Sequence, residues 1–113
     1  MVKKRLLSIL VGLAFVATIT AQTANHQATL DGLVAAERAF CKTSIAKGTR
    51  EAFIENLADD AVLFRPHPVT GKKWTIDSPA RPGLLVWWPI YADAARSGDL
   101  GYTTGPYEFR AKG

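Results

Sequence analysis

Leu57-Ala58-Asp59-Asp60-Ala61-Val62-Leu63-Phe64-Arg65-Pro66 is the stretch that decides how this chain is read. Its first residues close a helix, the paired aspartates interrupt it, and a short strand follows in which Val62 and Phe64 share one face. Aspartate side chains bond locally to the backbone in competition with continued helix, so Asp59-Asp60 marks the handover. Two amphipathic helical stretches precede the segment, and a long aromatic hairpin comes after it. The order predicts an α+β fold: two to three N-terminal helices on a curved antiparallel sheet, forming a cone around a pocket.

Upstream, Leu30, Leu33, Val34, Phe40, Cys41 and Ile45 recur at helical spacing. Lys47-Gly48 closes that helix, with a cation in its last turn and a glycine cap. Thr49 is placed to cap a second helix through Leu57, with Phe53, Ile54 and Leu57 as its buried stripe. Downstream, Pro66-His67-Pro68-Val69-Thr70-Gly71 reads as a rigid loop, because each proline fixes its own φ and restricts its predecessor. Lys72 to Asp77 makes a third, short helix carrying Trp74 and Ile76. Leu84 to Arg96 reads as a long strand, with Pro89 at an edge or bulge because it has no N–H for a ladder. Ser97-Gly98-Asp99 turns the chain, and Leu100 to Arg110 returns with Pro106 beside Gly105. Prolines facing each other at similar distances from the turn predict a bent hairpin.

Residues 1–21 stand apart. Lys3-Lys4-Arg5 precede an apolar run from Leu6 to Ile19, and Thr20-Ala21 offers small residues for cleavage before Gln22. This is the pattern of an export signal, and the run is shorter than the roughly 20 residues that span a bilayer. The expectation is an exported protein, periplasmic or extracellular, with no stable membrane anchor after cleavage. Residues 22–28 are then a flexible polar lead-in and 29–113 a single domain. The whole chain carries +4, and without Lys3, Lys4 and Arg5 it carries +1. It has no basic stripe interleaved with aromatics, the footprint expected of a nucleic-acid binder. Cys41 is the single cysteine and has no partner for an intrachain disulfide. A domain this small therefore needs further strands or a second copy to complete its core.

Several residues are candidates for chemistry. Glu37 lies on the apolar seam of the first helix, seven after Leu30 and three before Phe40. A carboxylate there is desolvated, a setting for a general base, or is a stripe-edge acid satisfied by a neighbouring donor. Asp60 sits at the helix-to-strand handover and is a weaker candidate base, or part of a turn. His67, held between two prolines, is a candidate proton shuttle or a solvent-facing loop residue. Two histidines, His26 and His67, lack metal-ligand spacing, so no metal or cofactor is expected. Aromatic content is the stronger clue. Eight of the eleven aromatics fall between Phe64 and Phe109. Phe64, Trp74, Trp87, Tyr91 and Tyr102 are expected to line a cavity for a small hydrophobic ligand. Trp87 and Trp88, adjacent on a strand, are expected to face opposite ways, one into the cavity and one toward a homodimer partner through the sheet face.

With the hairpin Ser97-Gly98-Asp99-Leu100-Gly101-Tyr102-Thr103-Thr104-Gly105 following the Leu57–Pro66 strand, the proline-rich loop and the short helix, the chain resembles the nuclear-transport-factor-2-like superfamily. That group includes SnoaL-like cyclases, ketosteroid isomerases and exported bacterial proteins, and the last set is the most similar. The resemblance covers about Leu30 to Arg110. It implies a cone-like cystatin/SnoaL-type fold and two further strands after Arg110, so the chain reads as lacking its last two strands. The strand 100–110 would then leave an unpaired edge bearing Tyr102, Tyr107 and Phe109. It does not carry over the isomerase's Asp–Tyr–Asp site, whose members have no counterparts here that can be assigned residue by residue. Three functions remain open: a binder of a small apolar or amphipathic molecule, an isomerase, cyclase or dehydratase using a carboxylate base, and a dimeric interaction module without catalysis. Binding has the most support from the residues.

Overall fold

Glycine 48 sets the geometry at the centre of the structure. The computed structural model describes the backbone of residues 2–111 and the side chains of residues 22–111. Helix α1 runs Val2–Lys47 and α2 runs Thr49–Asn56, so Gly48 is all that separates them. Its φ of 112° and ψ of 154° are open to glycine and strained for other residues. A Cβ there would also lie 2.7 Å from the Glu51 carboxylate. The reversal folds α2 back on α1 and buries Ala52 completely. The expected leader lies within residues whose side chains are not described. The polar residues 22–28, expected to be a flexible lead-in, are helical and part of α1.

Strand β1 (Val62–Phe64) pairs antiparallel with β2 (Pro68–Thr70), in the register Val62 to Thr70 and Phe64 to Pro68. The expected rigid loop is therefore half strand, because its prolines sit where a short hairpin does not need their N–H. Helix α3 follows as Gly71–Asp77. Lys72 on α3 reaches back to Asp59 at 2.8 Å and fixes the handover turn. The face shared by Val62 and Phe64 points outward, while Leu63 is half-buried. Leu63 packs against Gly71, where a Cβ would come within 2.8 Å of its Cγ.

The remainder is one bent hairpin. The expected strand from Leu84 breaks at Trp88–Ile90 into β3 (Leu84–Trp87) and β4 (Tyr91–Ala94). Its return breaks at Gly105–Pro106 into β5 (Gly101–Thr104) and β6 (Tyr107–Arg110). β3 pairs with β6 and β4 with β5, both antiparallel. Pro89 and Pro106 meet at the bend, as the sequence predicts, since neither can donate to a ladder. Gly105 belongs there because a Cβ would collide with the Trp88 carbonyl. The architecture is mixed α+β: a long helix, two shorter helices and three two-stranded antiparallel sheets.

β3 is docked to the helices by its backbone. The Ser44 hydroxyl donates to the Leu85 carbonyl at 2.7 Å, and the Leu85 N–H donates to Thr49 Oγ1 at 2.9 Å. Ser44 and Thr49 lie 3.1 Å apart. Because Ser44 spends its one proton on Leu85, Thr49 must be the donor between them. The result is a closed ring of hydrogen bonds in which two hydroxyls stand in for a neighbouring strand. Cys41 Sγ extends the edge by accepting from the Trp87 N–H at 3.4 Å.

This arrangement corrects two sequence expectations and adds to a third. Thr49 does not cap α2: Gly48 occupies the N-cap without a side-chain bond, and the Thr49 hydroxyl turns to the sheet. Ser44, not Ile45, occupies the seam of α1, being fully buried while Ile45 is about half exposed. Cys41 is buried, as expected, and also acts as an acceptor.

Candidate functional site

Alternation along β3 and β6 puts Leu85, Trp87, Tyr107 and Phe109 on one face of the ladder, since Leu85 opposes Phe109 and Trp87 opposes Tyr107. The Trp87 ring meets Phe40 of α1 edge-on at 4.9 Å between centroids and 89°. Phe53 of α2 completes the cluster, 5.0 Å from Phe40 and 6.2 Å from Trp87. Such edge-to-face pairs are worth about 0.5–1.5 kcal/mol each beyond the area they bury. Glu37 lies one helical turn before Phe40, and the Trp87 indole N–H donates to its Oε1. Among the described residues the second carboxylate oxygen has no hydrogen-bond partner.

These side chains line a concavity of about 370 Å³, with Trp88, Pro89, Thr103 and Tyr107 contributed by the bend of the hairpin. A second, larger concavity of about 780 Å³ lies between the α1–α2 junction, α3 and β6. Phe53, Leu85 and Tyr107 line both, so the two adjoin. The second has a different character. Trp74 and Phe109 supply its aromatic surface, and Lys47, Arg50, Arg65 and Arg81 face a single acid, Glu51. The Arg65 guanidinium lies over the Trp74 ring at 5.3 Å, and Arg50 donates to the Ile76 carbonyl at 2.6 Å.

The sequence candidates divide between these places. Glu37 and Trp87 are together in the first concavity and Trp74 is in the second. Phe64 is exposed on the outer face of β1 and lines neither. Tyr91 and Tyr102 also line neither. They pair across β4 and β5, 6.0 Å apart, on an exposed surface. Their hydrogen bond, then burial and the nearby Asp93 charge, raises the Tyr102 phenol above its ordinary value of 10.0. Asp60 and His67 are exposed, away from both concavities. Neighbouring Asp59 is held below the usual carboxylate range by its hydrogen bond to Lys72 and by that cation's charge. Trp88 follows the last residue of β3, contributes to the lining of the same concavity as Trp87 and is exposed.

Sequence reasoning assigned Phe40 and Phe53 to buried stripes and Tyr107 to an unpaired edge, and missed Thr103 and the four cations of the second concavity. The one available signal was the pairing of Pro89 with Gly105-Pro106, which folds Thr103 and Tyr107 back over Trp87. Among the described residues there is no group of three or more His, Cys, Asp or Glu side chains arranged to hold a metal ion. No helix among them is long and apolar enough to cross a membrane. Comparison with protein-family models, with curated proteins and with solved structures gives no match.

Proposed function

We propose that this is an exported protein with a nuclear-transport-factor-2-like cone that holds a small apolar or amphipathic molecule against the Phe40–Phe53–Trp87 cluster. The carrying observation is that cluster with Glu37 beside it, in a concavity of about 370 Å³. Ligand sites of this kind are mostly apolar with a few placed polar groups. Trp87 holds one Glu37 oxygen, which orients the carboxylate and leaves the other to accept from a ligand hydroxyl or amine. The element order of two helices, hairpin, short helix and bent hairpin supports the cone reading. The cations of the adjoining concavity suit an anionic end on a longer ligand.

Tryptophan fluorescence titration with a panel of small apolar alcohols, amines and fatty acids tests the reading. Saturable quenching that disappears in Trp87→Phe supports it, and no response across the panel sinks it. Glu37→Gln should weaken donor-bearing ligands about tenfold and leave simple hydrocarbons unchanged, a charged hydrogen bond being worth about 1.5–3 kcal/mol.

A second reading is favoured by the same carboxylate. Among the described residues Glu37 is the only acid lining the first concavity, and Tyr107 shares the lining, an arrangement open to proton abstraction by a carboxylate base. If a substrate is turned over, Glu37→Gln should abolish turnover with the fold intact. Full activity in that variant would remove Glu37 as the base.

A further inference from the structure

The arginines of the second concavity are set apart by the carboxylates they lack. Elsewhere Lys72, Lys73 and Arg110 each hold an acid at 3.0 Å or closer, and Lys47 holds Glu55 at 2.8 Å. Arg50, Arg65 and Arg81 line the concavity and, among the described residues, make no ion pair. Glu51, the one acid in the lining, does not neutralise them. Its carboxylate lies back over Gly48 at the start of its own helix and pairs with no described cation. A cleft lined by one sign of charge concentrates ligands of the other sign.

The three differ in how much of their hydrogen-bonding capacity the fold uses. Arg50 is committed to the Ile76 carbonyl at 2.6 Å and ties α2 to α3. Arg65 spends one donor on the Phe64 carbonyl at 3.1 Å, and its guanidinium is steadied over the Trp74 ring at 5.3 Å. Arg81 stands in the loop between α3 and β3 and, among the described residues, makes no hydrogen bond, ion pair or ring contact. A guanidinium stays charged in proteins, and its forked donors match the oxygens of a carboxylate or a phosphate. Apolar surface leads away from these two arginines, since Phe53, Leu85 and Tyr107 line both concavities. In the first concavity stands Glu37, whose carboxylate repels an anion.

We propose that the two concavities hold one amphipathic anion in a single orientation, its oxyanion head at Arg65 and Arg81 and its apolar chain across Phe53 and Leu85 toward Trp87. The head is a carboxylate or a phosphate. Opposite charges at the two ends set the direction, because a reversed ligand would bring its anion to Glu37. The place of the chain rests on the ligand reading above, and the place of the head does not. The cations come from α1, α2, the β1–β2 turn and the α3–β3 loop, so the head is held without the outer edge of β6.

Calorimetric titration of the full chain with decanoate, decyl phosphate and decanol, followed in parallel by tryptophan fluorescence, tests it. At least one of the two anions should bind about tenfold more tightly than decanol, and about 0.5 M salt should erode that advantage. The tighter anion identifies the head group. Arg81→Gln should bring the anion to within about threefold of decanol and leave decanol unchanged. Arg81 makes no contact that the fold needs, and near-ultraviolet circular dichroism of the Trp87 cluster checks that the variant is folded. Arg96→Gln removes the same charge at an exposed position outside both concavities and should change neither ligand. Equal binding of anions and alcohol overturns the proposal, as does an Arg81→Gln effect that Arg96→Gln reproduces or that decanol shares. Decanol quenching that is lost in Trp87→Phe, without any preference for the anions, removes this inference and leaves the ligand reading standing. An Arg81-dependent anion whose quenching is undiminished in Trp87→Phe keeps the head at Arg65 and Arg81 and sinks the ligand reading, and with it the place of the chain. No response to any of the three probes overturns both.

Discussion

β3 and β6 belong to one ladder, yet their outer edges have opposite fates. β3 lies against α1 and α2, its backbone closed by Ser44, Thr49 and Cys41 and its Trp87 ring set between Phe40 and Phe53. β6 has the same strand geometry and two aromatics to the one of β3, but every residue of it is exposed. Strand propensity is therefore common to both, and the helices make the difference. A strand gains rigidity here from what satisfies its far edge, and the site forms on the rigid side.

The sharpest way to break that contrast is Trp87→Ala. It removes the centre of the aromatic cluster and the donor to Glu37, and should cost about 3 kcal/mol in urea unfolding. A loss below about 1 kcal/mol would mean the cluster does not hold β3 to the helices. Thr49→Val is next. It keeps the side-chain shape but strands the Leu85 N–H and deprives Ser44 of its donor, so about 2 kcal/mol should be lost. If the hydroxyl were only a helix cap, the loss would instead track α2 helicity and leave the Leu85 amide protected from hydrogen exchange.

Gly48→Ala probes the reversal that brings both hydroxyls to β3. A positive φ and the crowding of Glu51 should together cost more than about 1 kcal/mol. The counterpart on the other strand, Glu108→Ala measured at dilute protein, should stay within about 0.5 kcal/mol, as expected of an exposed ion pair. A large loss there would erase the distinction between the two edges.

The smallest effect expected is one of pH. Tyr102 titrates above its ordinary 10.0 in the folded chain because its hydrogen bond to Tyr91 favours the neutral phenol. A group raised in the folded state contributes below its unfolded value and loses that contribution as pH rises through the folded value. The β4–β5 tip should therefore loosen only in alkali. In Tyr91→Phe, an ultraviolet difference titration should show Tyr102 moving back toward 10.0. No movement would mean that burial or Asp93, and not the tyrosine pair, sets the shift.

Much of the element order was legible because it depends on local rules. Helical spacing from Leu30, the Asp59-Asp60 break and the facing Pro89 and Pro106 are properties of neighbouring residues, and each has its counterpart in the structure. The aromatic seam also singled out Glu37 and Trp87, which the structure brings together. Phe64, Tyr91 and Tyr102 line neither concavity, because alternation says which residues share a face and not which face is covered. In β1 the inward position belongs to Leu63, next to Gly71, and the larger aromatic turns out.

By itself, then, the sequence determined the α+β class, the reversal at Lys47-Gly48 and the bend of the hairpin, since glycine and proline restrict the backbone wherever they stand. Tertiary structure decided what those elements do for one another. Thr49 reads as a helix cap, and Ser44 carries no signal along the chain, until Leu85, thirty-six and forty-one residues away, is brought beside them. The two concavities are likewise made by the docking of β3 and the folding back of β6. Such contacts depend on distances through space, and no pattern along the chain encodes them.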